Sequence, residues 1–366
     1  MAIQKISGVT IDLESQAEGD VAYFDGTDWV RLAKGDAGEV LTMNESVTAP
    51  EWGQPLWTFP GTVKGYCAAG NLSPSGAAPY ATDIQRWSFT SDVSATDVGD
   101  VTGVGRSHMS GQSSETHGYI SGSGHVTQPI NITIDRWSFA SEGNATDHGD
   151  LAVASGQGTG QSSETHGYHS GGNNGPQGGG HTYLNNIQKF AFASTGSTNN
   201  ATDIADLTVA RTCYTGSSSS THGYSAGGGG PTPGGDNTID KFSYATDINA
   251  TDVGDCDPAT DSSSGTSSLT HGYITGGVDT GYVNSIRRYS FASGGNSTIM
   301  NGELTATRHA HTGCSSETYG YSAAGHGGSG GINTIEKYSV STDSNATDVG
   351  DVTIAKWYAP PVGSQV

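Results

Sequence analysis

Thr116-His-Gly-Tyr-Ile-Ser-Gly122 decides how this chain of 366 residues is read, because the stretch keeps returning. Gly-Tyr recurs at 65–66, 118–119, 167–168, 223–224, 272–273 and 320–321, in steps of 53, 49, 56, 49 and 48 residues. Downstream of each copy lies a block of the form Ile-x-Lys/Arg-aromatic-Ser/Ala-aromatic, beginning at Ile84, Ile134, Ile187, Ile239, Ile286 and Ile335. A third block, Ala-Thr-Asp-x-Gly/Ala-Asp, starts at Ala95, Ala145, Ala201, Ala250 and Ala346, and the fifth unit replaces it with Asn296–Leu304. Six units near 50 residues, with the same blocks in the same order, define a repeat architecture. In such an architecture each unit buries its apolar face only against its neighbours.

Composition alone points elsewhere. Apolar content of 33%, 56 glycines and a net charge of −21 lean towards disorder. The rings argue against that, because 17 of the 30 Phe, Tyr and Trp fall at three repeat positions. A disordered chain has no reason to keep rings in register, and each buried ring stabilises by roughly 1.5–3 kcal/mol. Cys67, Cys213, Cys256 and Cys314 lie in different units without metal-ligand spacing and read as small buried thiols. The first residues, MAIQKISGVTIDL, lack the basic and apolar regions of a secretory leader, and no long apolar run predicts membrane insertion. A pI near 4.6 argues against nucleic acid as a partner.

The fourth unit shows the local structure. Arg211–Gly216 reads as a short strand, Ser217–Thr221 as a polar turn and His222–Gly227 as a second strand. After a Gly/Pro-rich loop, Ile239–Tyr244 alternates with period two, Ile239, Lys241 and Ser243 on one face and Asp240, Phe242 and Tyr244 on the other. Asp252–Asp255 leads into a fourth strand. Four strands joined by local turns form an antiparallel meander, one blade of a β-propeller. The expectation is therefore an all-β, six-bladed propeller over residues 55–366, preceded by a small β-rich segment, residues 1–54. Ring closure has two candidates for the inner strand of blade one. Leu56–Phe59 could fill it, or the C-terminus could return through Lys356-Trp-Tyr-Ala, which aligns with Arg211-Thr-Cys-Tyr, and the second is preferred.

The unit resembles the kelch repeat. Tyr224-Ser-Ala-Gly-Gly228 and Tyr168-His-Ser-Gly-Gly172 match that family's Gly-Gly strand. Ile239-Asp-Lys-Phe and Ile134-Asp-Arg-Trp match its aromatic strand, and Leu207–Arg211 matches its strand ending near Arg. The family's Trp at the start of the outer strand is replaced by Thr or Asp, and three units keep the full Gly pair. Ahead of the repeat, Val21–Phe24 and Trp29–Leu32 flank the turn Asp25-Gly-Thr-Asp28, and Val40–Met43 and Ala49–Gly53 follow. Gly19–Gly53 resembles a segment of tail-fibre and other appendage proteins of tailed bacteriophages. That resemblance implies a virion protein, attached through residues 1–54 to other virion proteins and oligomeric, with a homotrimer expected. A chain starting near Gln54 is expected to be monomeric.

Three sets of repeated residues invite chemistry. The basic slot of the third strand holds Arg86, Arg136, Lys189, Lys241, Arg288 and Lys337, and five units carry Asp-x-x-Asp at 97/100, 147/150, 203/206, 252/255 and 348/351. These read as turn caps and partners of the basic slot. Calcium, which takes about six to eight oxygens, is the sharper alternative, but two carboxylates per loop are too few. His117, His166, His222 and His271 precede Gly-Tyr in four units. A six-fold ring there is too wide to converge on one metal, so they read as structural. Ser113-Ser-Glu-Thr-His117 and its copy at 162–166 read as hairpin turns rather than a nucleophilic triad.

A site belongs where the repeat is broken, on loops held by the scaffold. The connection after the second strand varies most, and its tyrosines and histidine, Tyr80, His181, Tyr183 and Tyr282, are the candidate binding residues. No catalytic residue, cofactor or metal is assigned. The leading expectation is a virion fibre or appendage subunit that binds a host surface glycan or protein through its propeller loops. An enzyme acting on host polysaccharide and a non-viral kelch-type scaffold are the alternatives.

Overall fold

In a computed structural model of the chain, every regular element among the described residues is a β-strand. The structure describes residues 15, 17–35, 40–43, 48–53, 63–72, 79–125, 128–175, 182–193, 199–212, 215–230, 235–328, 330–359 and 361–363. They fall into two units, 1–57 and 58–366. In the first unit, Val21–Phe24 pairs with Trp29–Leu32, and Val40–Met43 with Pro50–Gly53. Asp25 closes the first turn by accepting the N–H groups of Thr27 and Asp28 at 2.8 Å each, the role a turn aspartate plays. The Arg31 guanidinium, 2.6 Å from Asp20, helps hold that carboxyl down to about 2.

The second unit is a six-bladed propeller of four-stranded antiparallel sheets. In blade four the strands run Thr215–Ser218, His222–Ala226, Thr238–Ser243 and Thr251–Asp255 from the axis outward. Blade one combines both ends of the repeat region. Pro361–Gly363 is its inner strand, followed by Lys64–Asn71, Tyr80–Ser88 and Thr96–Asp100. Closure thus comes from the C-terminus, as preferred from the sequence, but five residues beyond Lys356. Leu56–Phe59 lies outside the described residues. The inner-strand register is corrected in the same sense. Arg211 precedes the strand, because its guanidinium is buried and bound to the Gly227 and Ser225 carbonyls and to Asp240 at 2.7 Å.

The repeated rings hold the blades to one another. Each second-strand tyrosine packs against the third strand of the next blade: Tyr119 stacks on Phe192 at 4.7 Å, Tyr168 on Tyr244 at 4.9 Å and Tyr224 on Phe291 at 4.6 Å. Tyr321 on Phe89, at 4.5 Å, makes the same contact across the closing seam between blades six and one. The preceding glycine is required by the ring of its own blade. A Cβ on Gly167, Gly223, Gly272 or Gly320 would overlap Phe190, Phe242, Tyr289 or Tyr338. Nearer the axis, Gly160, Gly216 and Gly265 let adjacent inner strands approach until a Cβ would strike the neighbouring glycine carbonyl.

Two belts of hydrogen bonds run from blade to blade. On the inner strands, the N–H groups of Ser113, Ser162, Ser218 and Ser267 donate to Oγ of Ser162, Ser218, Ser267 and Ser315, at 2.7–3.0 Å. At the rim, Oδ1 of Asn144, Asn200, Asn249, Asn296 and Asn345 accepts the last N–H of the preceding outer strand, and Ser94 does so at the closing seam. A single unit makes none of these bonds, so this part of the stability belongs to the interfaces between neighbours.

The repeated polar residues bond within their turns and to the next blade. Asp97, Asp147, Asp252 and Asp348 each accept the N–H of the glycine two residues on. The basic slot reaches acids on the next blade, but not those of the Asp-x-x-Asp pairs. Arg86 meets Glu142, Lys189 meets Asp247, Arg288 meets Asp343 and Lys337 meets Asp92. These acids sit in the turns between third and outer strands, within about one side-chain length of the slot. Nδ1 of His117, His166, His222 and His271 bonds the preceding threonine hydroxyl at 2.8 Å. Ser114 and Ser163 accept the backbone N–H groups of His117 and His166, closing the turns. Cys67, Cys256 and Cys314 are buried free thiols, and Cys213 lies outside the described residues.

Candidate functional site

The meander sends two kinds of connection to opposite faces. One face carries the uniform turns that follow inner and third strands; the other, here the loop face, carries the connections after second and outer strands. On the loop face the backbone repeats even where the sequence does not. One antiparallel bridge recurs as Asn71–Trp357, Gly156–Asn173, Thr212–Gly229, Asp261–Val278 and His309–His326. Just inside it, His108, Gln157, Ser262, Ala310 and Tyr358 take positive φ, between 51° and 62°. Non-glycine residues enter this region at a cost of about 1–2 kcal/mol each. The return is a belt around the axis: Gln157 N–H donates to the His108 carbonyl, His108 to Tyr358, Tyr358 to Ala310 and Ala310 to Ser262, at 2.7–3.0 Å.

Side chains at these fixed positions, His108, Gln157 and Tyr358 among them, line the mouth of the ring together with His311. Their chemistry is uneven around the ring. From blade five to blade two, six rings touch in a chain that branches at His309. Tyr282 stacks on His309 at 4.5 Å, and His309 lies 5.2 Å from His326 with Nε2 to Nδ1 at 3.2 Å. His326 meets Trp357 at 4.3 Å, and His309 lies 6.3 Å from Tyr358, which stacks on His108 at 3.8 Å. Tyr282 is 40% exposed, whereas Trp357 and His108 are buried.

Burial governs the charge of this arc. It pushes His309 down to about 4, with His326 adding to the shift, and it lowers His326 as well. Both imidazoles are therefore neutral at pH 7. Burial also raises the Asp261 carboxyl and lifts Tyr358 to about 12. The bases beneath the mouth are already paired, Arg308 with Glu336 at 2.6 Å and Lys356 with Asp83 at 2.9 Å.

Of the residues expected from the sequence, Tyr282 belongs to this arc. Tyr80 opens the third strand of blade one opposite Asn71, and Tyr183 bridges Asn173 within blade three. His181 lies outside the described residues. His309, His326, Trp357, Tyr358 and His108 carry no loop signal of this kind, although Arg308-His-Ala-His and Lys356-Trp-Tyr-Ala occupy the column of Arg211-Thr-Cys-Tyr.

Among the described residues, no three His, Cys, Asp or Glu side chains converge on a cation position, and no helix is long and apolar enough to cross a membrane. No family model matches the chain, and no curated protein does.

Proposed function

We propose that this chain is a structural subunit of a virion appendage, a tail or head fibre of a tailed bacteriophage. Its kelch-like propeller takes a host surface molecule or a neighbouring virion protein on the loop face. The observation that carries the reading is the aromatic arc. The turn face repeats one hydrogen-bonding pattern from blade to blade, while six touching rings break the symmetry of the loop face over four blades. An exposed tyrosine on a rigid scaffold is a recognition element rather than a packing one.

The first unit supports the attachment role. Phe24, Trp29, Leu41 and Met43 are 47–55% exposed on two short hairpins. Isolated two-stranded hairpins are marginally stable in water, and such side chains are normally covered by a partner. Identical copies of the chain, in a homotrimer, supply that cover in this reading. Light scattering on the full chain tests it: a trimer is expected, and a monomer at micromolar concentration speaks against an appendage subunit. Adhesion of the labelled chain to candidate host cells tests recognition. Tyr282→Ala is expected to weaken adhesion, and unchanged adhesion removes the arc from the interface.

A further inference from the structure

We infer that the loop face takes an uncharged glycan, one pyranose ring stacking on Tyr282 while the His309–His326 pair meets its hydroxyls; this rests on the receptor-binding reading above. The first ground is that the fold does not ask for histidine here. The bridge occupied by His309 and His326 is filled in other blades by Asn and Trp, Gly and Asn, Thr and Gly, or Asp and Val. The backbone is the same in each, so the imidazole pair answers to something other than propeller geometry.

The second ground is preorganisation. Tyr282 has one face held by the His309 ring at 4.5 Å and still keeps 40% of its surface open. A pyranose presents a flat face of C–H bonds to such a ring, and a side chain already fixed loses little entropy on contact. The mutual bond uses Nε2 of His309 and Nδ1 of His326. Nε2 of the half-buried His326 ring is left for a hydroxyl, which can donate or accept as the tautomer requires.

Charge supplies the third ground. Arg308 and Lys356 are held in buried ion pairs with Glu336 and Asp83, so neither meets an anion at the mouth. Asp261 is bridged to Val278, Asp279 follows it, and the chain carries a net charge of −21. Uronates, sialic acids and phosphate esters are repelled by that field.

The test is an oligosaccharide array probed with the full-length chain. Its arms are neutral gluco-, manno- and galacto-oligosaccharides and acidic uronate- and sialate-bearing ones. Retention on a neutral arm is expected. Tyr282→Ala should weaken it about tenfold, the scale of one aromatic stacking contact, and Tyr282→Phe about threefold or less. Ile248→Ala, at an exposed turn on the other face, should leave it unchanged, with melting temperatures confirming that each variant folds. Binding confined to the acidic arm, no binding to either arm, or a Tyr282→Ala variant that binds as before overturns the proposal. Cell adhesion separates this failure from that of the broader reading. Adhesion that survives periodate oxidation of the cells but not protease treatment leaves the receptor reading standing and removes the glycan. No adhesion by the unaltered chain sinks the receptor reading itself.

Discussion

Replacing Tyr224 by alanine should cost more than any within-blade contact, because the ring belongs to two blades at once. Tyr224 sits on the second strand of blade four, is 1% exposed, and stacks on Phe291 of blade five at 4.6 Å, with Tyr289 at 5.7 Å. Its hydroxyl donates to the Phe291 carbonyl at 3.3 Å. Removing a buried aromatic from a packed core costs about 3–5 kcal/mol, the cavity included. Tyr224→Phe keeps the ring and loses only the hydroxyl bond, about 1 kcal/mol. For a body of this size the melting temperature moves by about 2 °C per kcal/mol. Alanine should therefore lower it by roughly 6–10 °C and phenylalanine by about 2 °C.

The claim that the contact crosses between blades needs a double-mutant cycle. Tyr224→Ala combined with Phe291→Ala, followed by urea unfolding, should show a coupling of about 0.5–1.5 kcal/mol. Tyr224→Ala combined with Phe139→Ala, whose ring packs on Tyr66 between blades one and two, should be additive within about 0.5 kcal/mol. No coupling in the first cycle, or a loss below about 1 kcal/mol for Tyr224→Ala alone, would refute the view that the ladder holds the ring together.

His169 should make the protein acid-sensitive. It is fully buried beside the Ser121 hydroxyl, and burial lowers its pKa from the ordinary 6.5 to about 3. With the folded value depressed, its contribution is complete above 6.5 and is lost as pH falls towards 3. By pH 5 about 2 kcal/mol should have gone, and His169→Gln should remove that part of the slope in urea midpoints measured at pH 7 and pH 5. Ending the chain at Ala359 deletes the inner strand of blade one and uncovers Tyr66 and Cys67, both fully buried in the intact ring. Calorimetry should show a melting temperature at least about 10 °C lower, and an unchanged one would mean the closing strand contributes nothing.

The sequence made the ring legible where stereochemistry leaves one option. Gly-Tyr reads as a fixed pair because glycine alone fits over the ring of its own blade while tyrosine reaches into the next. The third strand shows its period from Asp240 to Ser243, where Asp240 and Phe242 are buried and Lys241 and Ser243 are not, while Ile239, next to a register shift, is buried on the face of Lys241. The inner strand begins at Thr215 rather than at Arg211, because Arg211 looks like a surface residue in sequence whereas its side chain is 0% exposed and paired with Asp240. The same layer holds Arg106 with Asp135 and Arg308 with Glu336. A buried ion pair leaves no hydrophobic signature, so only the partners' shared column could have betrayed it. A better marker was present in the recurring Ser/Thr-Gly-x-Ser-Ser that begins at residues 110, 159, 215, 264 and 312. Its glycine and first serine build the axial contacts, and neither residue type announces a core.

The candidate site was legible only in part for a different reason. Tyr282 stood out as an aromatic in a variable loop, but His309 and His326 lie 17 residues apart and meet through a bridge that no residue type signals. What makes them informative is the constancy of the backbone around them. The positive-φ belt and the recurring bridge fix the main chain at the mouth through backbone hydrogen bonds, so the exposed Tyr282 ring is free of the duty of holding the ring of blades. Tyr282, 40% exposed, can therefore change without disturbing closure, while Tyr224 and Gly216 cannot. In the proposed function, stability and recognition are then carried by separate residues. Substituting Tyr282 should alter binding at almost no cost in melting temperature, the opposite of what substituting Tyr224 does.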